Sequence, residues 1–292
     1  MSRPSTDSRT LAAIDKRSNL TRKELIEEYV KPAIPVVLTD AVSKWNAMGK
    51  FTPAFFKEKY GHLTKEVKGV TYNMADFVDR MLNASAENPA PYPFSFNVEK
   101  SFPELLKEMR PDIEYGKVDR INHPLVPRSM IYGTEIYELF LGGRGSAFPF
   151  LHFDALYMNT QITQVYGSKE FFLYGPDQNK YMYPQKNNPK FSSVDVWNPD
   201  YTQFPLFREA RSVVVTVNEG ETLFFPCGWW HTTKIHEPCI TLGRAQLNGT
   251  NWNRFLKDEY KVWRNHHPVA APLVYLYGRL LHPFLSFQEF LS

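Results

Sequence analysis

The feature that most constrains the fold is a succession of short β-rich runs between Ser129 and Asn248. Glycine, proline or asparagine separates these runs, which include "MIYGTEIYELFLGG", "TQITQVYGSKEFFLYG", "SVVVTV" and "ETLFFP". Many short strands with turn residues between them are typical of a sandwich or a jelly roll. With 292 residues, of which 43% are hydrophobic, the chain is long enough to bury one large core around them.

Helices and strands alternate in the N-terminal third. Residues Thr21–Glu24 form a capping box ahead of "LIEEYV", which predicts the start of a short helix. The run "PVVLTDA", from Pro35, predicts a buried strand. Thr52 and Pro53 before "AFFKEKYG" predict a helix with an N-cap, a proline in its first turn and an end at Gly61.

The distribution of polar and apolar residues divides the chain into three parts. Residues 1–19 are polar and predict a mobile segment, and residues 20–250 predict the main domain, with core strands over about 129–248. Residues 251–292 predict a helical segment, because "NWNRFLKDEYKVW" places its apolar residues on one helical face and "PLVYLYGRLL" continues apolar. That first face comprises Trp252, Phe255, Leu256 and Trp263.

Charge and cysteine content narrow the class of protein. The chain has 34 Lys and Arg against 31 Asp and Glu, a formal charge of +3, and the scattered basic residues give no support for a nucleic-acid partner. Two cysteines, Cys227 and Cys239, and a polar opening without an apolar signal segment lead us to expect a cytoplasmic, intracellular protein. The C-terminal run "VAAPLVYLYGRLL" is shorter than the roughly 20 residues of a membrane span, so we expect no transmembrane helix.

The candidate site begins in "LHFDALYMN", where His152 and Asp154 stand two residues apart on a predicted strand. Side chains alternate along a strand, so both groups would point inward while Phe153 points the other way. A carboxylate beside an imidazole in an apolar barrel is costly unless a divalent metal compensates for the lost hydration. The pair therefore predicts two ligands of a metal site that needs a third.

His231, in "EGETLFFPCGWWHTT", is the candidate third ligand. Two histidines and one carboxylate leave the other metal positions open, which is the ligand set of non-haem Fe(II) oxygenases. Zinc ranks second, because a closed zinc site would need a fourth ligand and Cys227 is the soft donor nearby. We expect the adjacent Trp229 and Trp230 to serve as wall and core packing rather than as a stacking platform.

A cation for a cosubstrate is also present in the sequence. Iron needs an electron source to activate O₂, and a keto acid that chelates the metal needs a positive charge for its far carboxylate. Lys169, in "VYGSKEFFLYGP", lies on the next strand-like run. Its ammonium is a point charge suited to a terminal carboxylate in a dry pocket.

Three stretches, "LHFDALYMNTQITQVYGSKEFFLYGPDQ", "NPDYTQFPLF" and "GETLFFPCGWWHTT", together resemble the Jumonji-C (JmjC) family of cupin-type Fe(II)- and 2-oxoglutarate-dependent dioxygenases. The resemblance is greatest to its small hydroxylase branch, which includes the asparaginyl hydroxylase that inhibits hypoxia-inducible factor. It covers about residues 35–247, with the H-x-D, G-x-K and W-W-H elements in family order. It implies a mainly β, cupin-like jelly roll, a double-stranded β-helix, with N-terminal helices and a C-terminal helical segment.

The resemblance also implies roles for single residues. His152, Asp154 and His231 match the Fe(II) ligands of the family, and Lys169 matches the residue that binds the C5 carboxylate of 2-oxoglutarate. Pro149 departs from the family, which has a serine or threonine three residues before the first histidine.

The remaining cosubstrate contacts leave alternatives open. Asn159 and Thr160 compete for the role of an asparagine near the C1 carboxylate, because the stretch between the first histidine and the lysine is two residues longer than in the nearest relatives. The family tyrosine at the C5 carboxylate falls near "YPFSFN", where Tyr92 and Phe94 are both candidates. A later asparagine of the family would align with Ala245 or Gln246.

The implied activity is oxidation of a C–H bond with Fe(II), 2-oxoglutarate and O₂, and release of succinate and CO₂. Hydroxylation of a protein side chain or another C–H substrate ranks first. N-methyl demethylation ranks below it, because no zinc finger or histone-reader segment accompanies the core. A metal-binding cupin without oxygenase activity would not need Lys169, and a non-catalytic interaction module would be expected to have lost a ligand. The substrate, whether protein, modified RNA base or small molecule, stays open.

The C-terminal run "PLVYLYGRLLHPFLSFQEFL" is more apolar than a peripheral tail needs to be unless something covers it. The tail could fold back on its own barrel, or it could pair with the same segment of a second chain around a two-fold axis, as the resemblance suggests. We expect a homodimer formed through the C-terminal helices. The apolar residues of this run include Leu273, Tyr277, Leu280, Phe284 and Phe287.

Overall fold

A computed structural model gives the fold and describes residues 13–110, 119–131 and 137–291. The strands within these residues are Asp15–Arg17 (β1), Val36–Leu38 (β2), Thr64–Val67 (β3), Val70–Asn73 (β4), Phe94–Asn97 (β5), Tyr137–Gly142 (β6), Asn159–Tyr166 (β7), Lys169–Tyr174 (β8), Val213–Val217 (β9), Thr222–Phe225 (β10), Trp230–Lys234 (β11) and Cys239–Gln246 (β12). The α-helices are Arg22–Leu25 (α1), Pro53–Tyr60 (α2), Met74–Leu82 (α3), Val98–Ser101 (α4), Trp252–His266 (α5) and Ala270–Leu291 (α6).

The strands form a large sheet, a small sheet and a hairpin. The large sheet has the order β1-β2-β10-β7-β12-β6-β5, the small sheet has the order β11-β8-β9, and β3 pairs with β4. Apart from β1 on β2, the neighbouring strands run antiparallel. Residues of both sheets line one cavity between them. The predicted mainly β, jelly-roll fold is confirmed.

Local signals in the N-terminal third act as predicted. The Thr21 hydroxyl accepts a hydrogen bond from the Glu24 backbone N–H at 3.2 Å, and the Glu24 carboxylate accepts one from the Thr21 N–H at 2.8 Å, which completes the capping box of α1. A π-helical turn, Ile26–Val30, continues this helix. Thr52 caps α2, which ends at Tyr60. The predicted buried strand is β2, whose three residues are fully buried.

The prediction of a mobile segment over residues 1–19 is wrong at its end. Residues 15–17 form β1, which pairs in parallel with β2. The Lys16 ammonium also binds the Glu221 carboxylate at 2.6 Å, and Ile14 is buried. The polar sequence gives no strand signal because β1 is an edge strand stabilised by hydrogen bonds to the backbone of β2, and any sequence can form such bonds. Residues 1–12 lie outside the described residues.

The C-terminal helices α5 and α6 pack against each other and cover the residues around Ile121 and Leu247. Trp252 is fully buried and donates its indole N–H to the Gly278 carbonyl at 2.9 Å, across the contact of the two helices. Phe255 and Leu256 are buried in the same cluster. Three of the four residues of the apolar face of α5 are therefore buried within the chain, and Trp263 is half-buried. In the described part of the chain, no helix is both long and apolar enough to cross a membrane.

Candidate metal centre

The two candidate histidines face each other across a short backbone pairing. The His152 N–H donates to the His231 carbonyl at 3.1 Å, and the His231 N–H donates to the His152 carbonyl at 2.6 Å. His231 lies in β11, whereas His152 belongs to an extended segment with isolated bridges to His231 and Phe191. The prediction of a continuous strand through "LHFDALYMN" is therefore wrong, although the pairing still brings both imidazoles to one place.

Asp154 follows on the same side of this extended segment as His152. Both line the cavity, while Phe153 points the other way and packs against Trp230. The chain then turns through a short 3₁₀ segment in which Leu156 has a φ of 57°, and β7 begins only at Asn159. The predicted alternation of side chains holds because it needs extended backbone and no ladder of strand hydrogen bonds.

Three ligand atoms meet at this point. Asp154 Oδ1 lies 3.9 Å from Nε2 of His152 and 3.7 Å from Nε2 of His231, and the donor atoms of the three residues all lie within 4.8 Å of one another. The Thr160 hydroxyl donates a hydrogen bond to the other carboxylate oxygen, Oδ2. Cys227, the extra ligand that a closed zinc site would use, is not part of this group.

The surroundings of both imidazoles suit a metal. His231 Nδ1 lies 3.1 Å from the Trp229 carbonyl, a partner that holds the proton on Nδ1 and leaves the lone pair of Nε2 free. Burial, and then the neighbouring His231, lower the pKa of His152 to about 3, so its ring is neutral at physiological pH. The rings of Phe148 and Phe191 stack on His152 at centroid distances of 4.8 and 5.7 Å and fix its plane.

The metal-ligand group opens into a cavity of about 340 Å³ between the two sheets. On the large sheet its wall includes Thr160 and Ile162 of β7 and three small residues of β12, namely Thr241, Gly243 and Ala245. On the small sheet it includes Phe171 of β8, and Thr232 and Thr233 of β11. The cavity is thus polar at the metal-ligand end and has a floor of small side chains.

Lys169 lines the same cavity at the start of β8 and is 3% exposed. Its ammonium donates a hydrogen bond to the Tyr92 hydroxyl at 2.9 Å, and it lies 5.6 Å from the ring centroid of Phe140. Burial raises the pKa of Tyr92, which keeps its hydroxyl protonated. Among the described residues no carboxylate forms an ion pair with Lys169, so this buried cation has room for an anionic ligand.

The structure separates the alternatives that the sequence leaves open. Thr160 lines the cavity, whereas Asn159 is on the opposite face of β7 and its side-chain oxygen accepts from the Cys227 N–H at 2.9 Å. Of the two alternatives, Thr160 therefore faces the cavity and Asn159 does not. Tyr92 reaches Lys169, while Phe94 stacks on Phe77 in another cluster.

Strand alternation also places the two residues that align with the later asparagine of the family, and the tryptophan pair. Ala245 lines the cavity and brings no amide to it, and Gln246 is buried outside that lining. Trp229 and Trp230 are 3% and 1% exposed and belong to core clusters on either side of β11. The prediction that both tryptophans serve as packing is confirmed.

Further polar residues of the cavity are missed by the sequence reasoning, among them Glu138, Ser95 and Thr233. Glu138 of β6 and Ser95 of β5 line it, and the Ser95 hydroxyl donates to the Glu138 carboxylate at 2.6 Å. Thr233, two residues after His231, lines it as well. Alternation along "YELFLG" and "WHTTK" could have placed Glu138 and Thr233 on an inner face, but only the sheet pairing identifies that face.

The donor set fits a divalent metal that keeps open coordination positions. His152, Asp154 and His231 could hold such an ion with one carboxylate charge, and hydrogen bonds orient Asp154 and His231 from behind. Lys169 and Tyr92 could hold an anion in the same cavity. The arrangement can therefore bind a metal together with a chelating anionic ligand next to it.

Comparisons with known proteins agree with this geometry. HSPB1-associated protein 1 of Bos taurus is 36% identical over 104 residues, which are 34% of this chain and 21% of that protein. The lysine-specific demethylase JMJ30 of Arabidopsis thaliana is 26% identical over 236 residues, 76% of this chain and 52% of that protein. The 2-oxoglutarate and iron-dependent oxygenase JMJD4 of Gallus gallus is 22% identical over 271 residues, 84% of this chain and 63% of that protein.

The chain thus matches between 21% and 63% of the length of these relatives. The sequence profile of the cupin-like domain matches residues 62–244, which is more than half of the chain and includes the three candidate ligands and Lys169. The chain belongs to the cupin-like domain family of the JmjC type.

Proposed function

We propose that the chain is an Fe(II)- and 2-oxoglutarate-dependent oxygenase, in the form of a hydroxylase that acts on a protein side chain or another C–H substrate. One observation carries the proposal: a single cavity has three metal-ligand side chains at one end and, in its wall, the buried ammonium of Lys169, which forms no ion pair with a described carboxylate. A metal site alone would not need that ammonium.

The three ligands have separate supports in the chain. His152, Asp154 and His231 would hold Fe(II), with Thr160 and the Trp229 carbonyl fixing the orientation of two of them. When bound, Fe(II) and 2-oxoglutarate supply the activation of O₂ for C–H oxidation, with release of succinate and CO₂. The chain itself binds both, keeps the His152 ring neutral and excludes water with the aromatic wall.

Lys169 and Tyr92 would bind the far carboxylate of the cosubstrate. The ammonium is already desolvated, and the hydroxyl of Tyr92 stays protonated and can donate a second hydrogen bond. Thr160, which donates a hydrogen bond to Asp154, lines the same cavity. This division gives a dianionic keto acid one anchor at the metal and one at the ammonium.

The names of two relatives support the chemistry, since one is an iron- and 2-oxoglutarate-dependent oxygenase and one is a lysine-specific demethylase. Demethylation of an N-methyl group is the alternative form of the same reaction. Formaldehyde release identifies demethylation, whereas a stable product with one added oxygen identifies hydroxylation.

Cys227 and Cys239 are free thiols, which supports a role in a reducing, intracellular compartment.

A cosubstrate-turnover assay tests the proposal. The full chain is incubated with Fe(II), ascorbate, O₂ and 2-oxoglutarate, with and without candidate substrates, and succinate is measured. We expect succinate release that is lost in His152→Ala and His231→Ala. The matched control is His236→Ala, which removes an exposed histidine paired with Glu170 and should leave turnover unchanged.

Two outcomes contradict the proposal. Succinate release that persists in both ligand variants would come from another source. Metal binding at the three residues without binding of 2-oxoglutarate would instead identify a cupin with a different metal-dependent activity.

A further inference from the structure

The Thr233 hydroxyl is a buried polar group in the cavity wall. The side chain is 5% exposed, and Oγ1 has no hydrogen-bond partner within the residues that the structure describes. A buried hydroxyl without a partner loses its hydration and gains nothing in return. Most buried polar groups in native proteins are paired, so an exception in a cavity wall indicates a partner supplied by a ligand.

Strand register places Thr233 between the metal ligands and Lys169. On β11 it follows His231 by two residues, so both side chains face the cavity, about 7 Å apart along the strand. In the pairing of β11 with β8, Thr233 stands opposite Phe171. Lys169 precedes Phe171 by two residues and is therefore the diagonal neighbour of Thr233, at about 7–8 Å.

The segment that leads to His152 has no hydroxyl at the position where the family has one. The Phe148 N–H donates to the Thr233 carbonyl at 2.9 Å, so the segment that leads to His152 runs beside Thr233. Pro149, the next residue of that segment, stands where the resemblance leads us to expect a serine or threonine. The Thr233 hydroxyl therefore lies on the strand next to the position at which the family hydroxyl is missing.

We infer that Thr233 binds the C5 carboxylate of 2-oxoglutarate, as a third donor beside Lys169 and Tyr92. This inference rests on the proposed function. The hydroxyl donates its proton to the carboxylate and thereby gains the partner that the chain does not provide. Thr233 also fixes the distance between the metal-bound end and the ammonium-bound end of the cosubstrate.

Calorimetric titration of 2-oxoglutarate into the Mn(II)-loaded full chain tests this contact without turnover. Thr233→Val keeps the volume and removes the hydroxyl, and we expect a dissociation constant about tenfold higher. Thr233→Ser should restore binding to within about threefold of the original chain. The matched control is Thr216→Val, an exposed threonine of β9. The affinity for Mn(II) should be the same in all four proteins.

The outcomes separate the contact from the function. If Thr233→Val binds 2-oxoglutarate normally while Lys169→Ala binds it weakly, Thr233 has no such role and the proposed function stands. If neither change affects binding, or the original chain does not bind 2-oxoglutarate, both the proposed function and the role of Thr233 are contradicted. With 2-oxobutyrate, which lacks the C5 carboxylate, Thr233→Val should bind like the original chain; an equal loss there would place the hydroxyl at the other end of the ligand.

A separate observation concerns α6, which has an apolar stripe on each of two sides. The inner stripe, Ala271, Leu281 and Leu285, is buried against the rest of the chain. The tail therefore does fold back on its own domain. The outer stripe is 41–71% exposed and consists of Leu273, Tyr277, Leu280, Phe284 and Phe287.

The outer stripe has the spacing and size of a helix-pairing surface. Its residues are separated by four, three, four and three positions, which is the heptad pattern of helices that pair along an apolar seam. Together with the exposed Leu276 and Phe290 it presents on the order of 700 Å² of apolar side chain. Monomers seldom expose more than about 300–600 Å² in one patch, and a stable interface buries about 800 Å² per partner.

The geometry points to a homodimer in which this outer stripe pairs with the same stripe of a second copy around a two-fold axis. A heptad pattern needs another helix with the same pattern, and an identical chain supplies one. A helix that lies on a membrane surface would instead carry many Lys and Arg on its other side. The other side of α6 is occupied by α5.

Light scattering coupled to size exclusion at micromolar concentration tests the dimer. We expect twice the 34.0 kDa of one chain. Leu280→Glu and Leu280→Lys should each give single chains, because each puts two like charges at the seam, and a 1:1 mixture of the two should restore the double mass. The matched control is Val70→Glu, which charges another exposed apolar residue, in the β3–β4 hairpin, and should leave the dimer intact.

Three results would overturn the dimer. A mass of one chain for the original protein would leave the stripe without its second copy. A double mass that both Leu280 variants retain would place the interface elsewhere. A single chain that sediments with phosphatidylcholine–phosphatidylglycerol vesicles, and stops doing so in Leu280→Glu, would identify a lipid surface as the occupant.

Discussion

Replacing Lys169 by methionine should change cosubstrate binding and stability in opposite directions. The ammonium is 3% exposed and is held by a 2.9 Å hydrogen bond to Tyr92. Removing one member of a buried ion pair costs about 3–5 kcal/mol, so affinity for 2-oxoglutarate should fall by a factor of about 10²–10³ or more. Without the ligand the charge is buried and unpaired among the described residues, and methionine should stabilise the metal-free chain by about 1–4 kcal/mol.

Two measurements on the same protein check the expected loss of affinity and the expected gain in stability. Calorimetry of 2-oxoglutarate binding to the Mn(II)-loaded chain gives the affinity, and urea unfolding of the metal-free chain gives the stability. Lys234→Met, on the neighbouring strand β11, removes an exposed lysine and should alter neither. A change in affinity below about fivefold would mean that another group holds the carboxylate, and a loss of stability would make Lys169 a structural residue.

Three further predictions concern the supports of the site and of the C-terminal helices. Burial raises the pKa of Glu259 to about 7, so ionisation opposes folding: the stability contribution of the neutral group is complete below the ordinary pKa near 4.5 and is lost as the pH rises through 7. Glu259→Gln should therefore raise the free energy of unfolding at pH 8, by about 3 kcal/mol at most, and leave it unchanged at pH 4; a gain that is equal at both pH values would contradict this. Gly278→Ala should lower stability by about 1–3 kcal/mol in thermal unfolding, because a Cβ would stand 2.5 Å from a methyl carbon of Leu256, and an unchanged melting temperature would show that the helices separate easily. Thr160→Val removes the hydrogen bond to Asp154 and should weaken Mn(II) binding by about 10- to 100-fold in a metal titration, whereas unchanged affinity would show that the carboxylate needs no orientation.

Much of the fold and the centre of the site follow from local sequence. The capping box at Thr21, the N-cap at Thr52 and the two-residue spacing of His152 and Asp154 act over a few residues, where backbone geometry fixes the outcome. The alternating runs predict the β core for the same reason. These features need no knowledge of which strands become neighbours.

The tertiary structure decided what depends on pairing between distant segments. The sequence alone could not choose between Asn159 and Thr160, since only the partners of β7 tell which of its faces is the cavity. Nor could it place Thr233 in the cavity wall, because that position depends on the pairing of β11 with β8 and with the segment at Phe148.

The same distinction applies at both ends of the chain. The sequence by itself determined that residues 15–17 are polar and that α6 is apolar on two sides. Only the tertiary structure decided that the polar residues form a strand on the edge of β2, and that one apolar side of α6 is buried while the other stays exposed. The physical reason is that residues far away in sequence supply the hydrogen-bond partners and the buried area. The local sequence shows which groups require a partner or burial, and the tertiary structure determines which residues provide them.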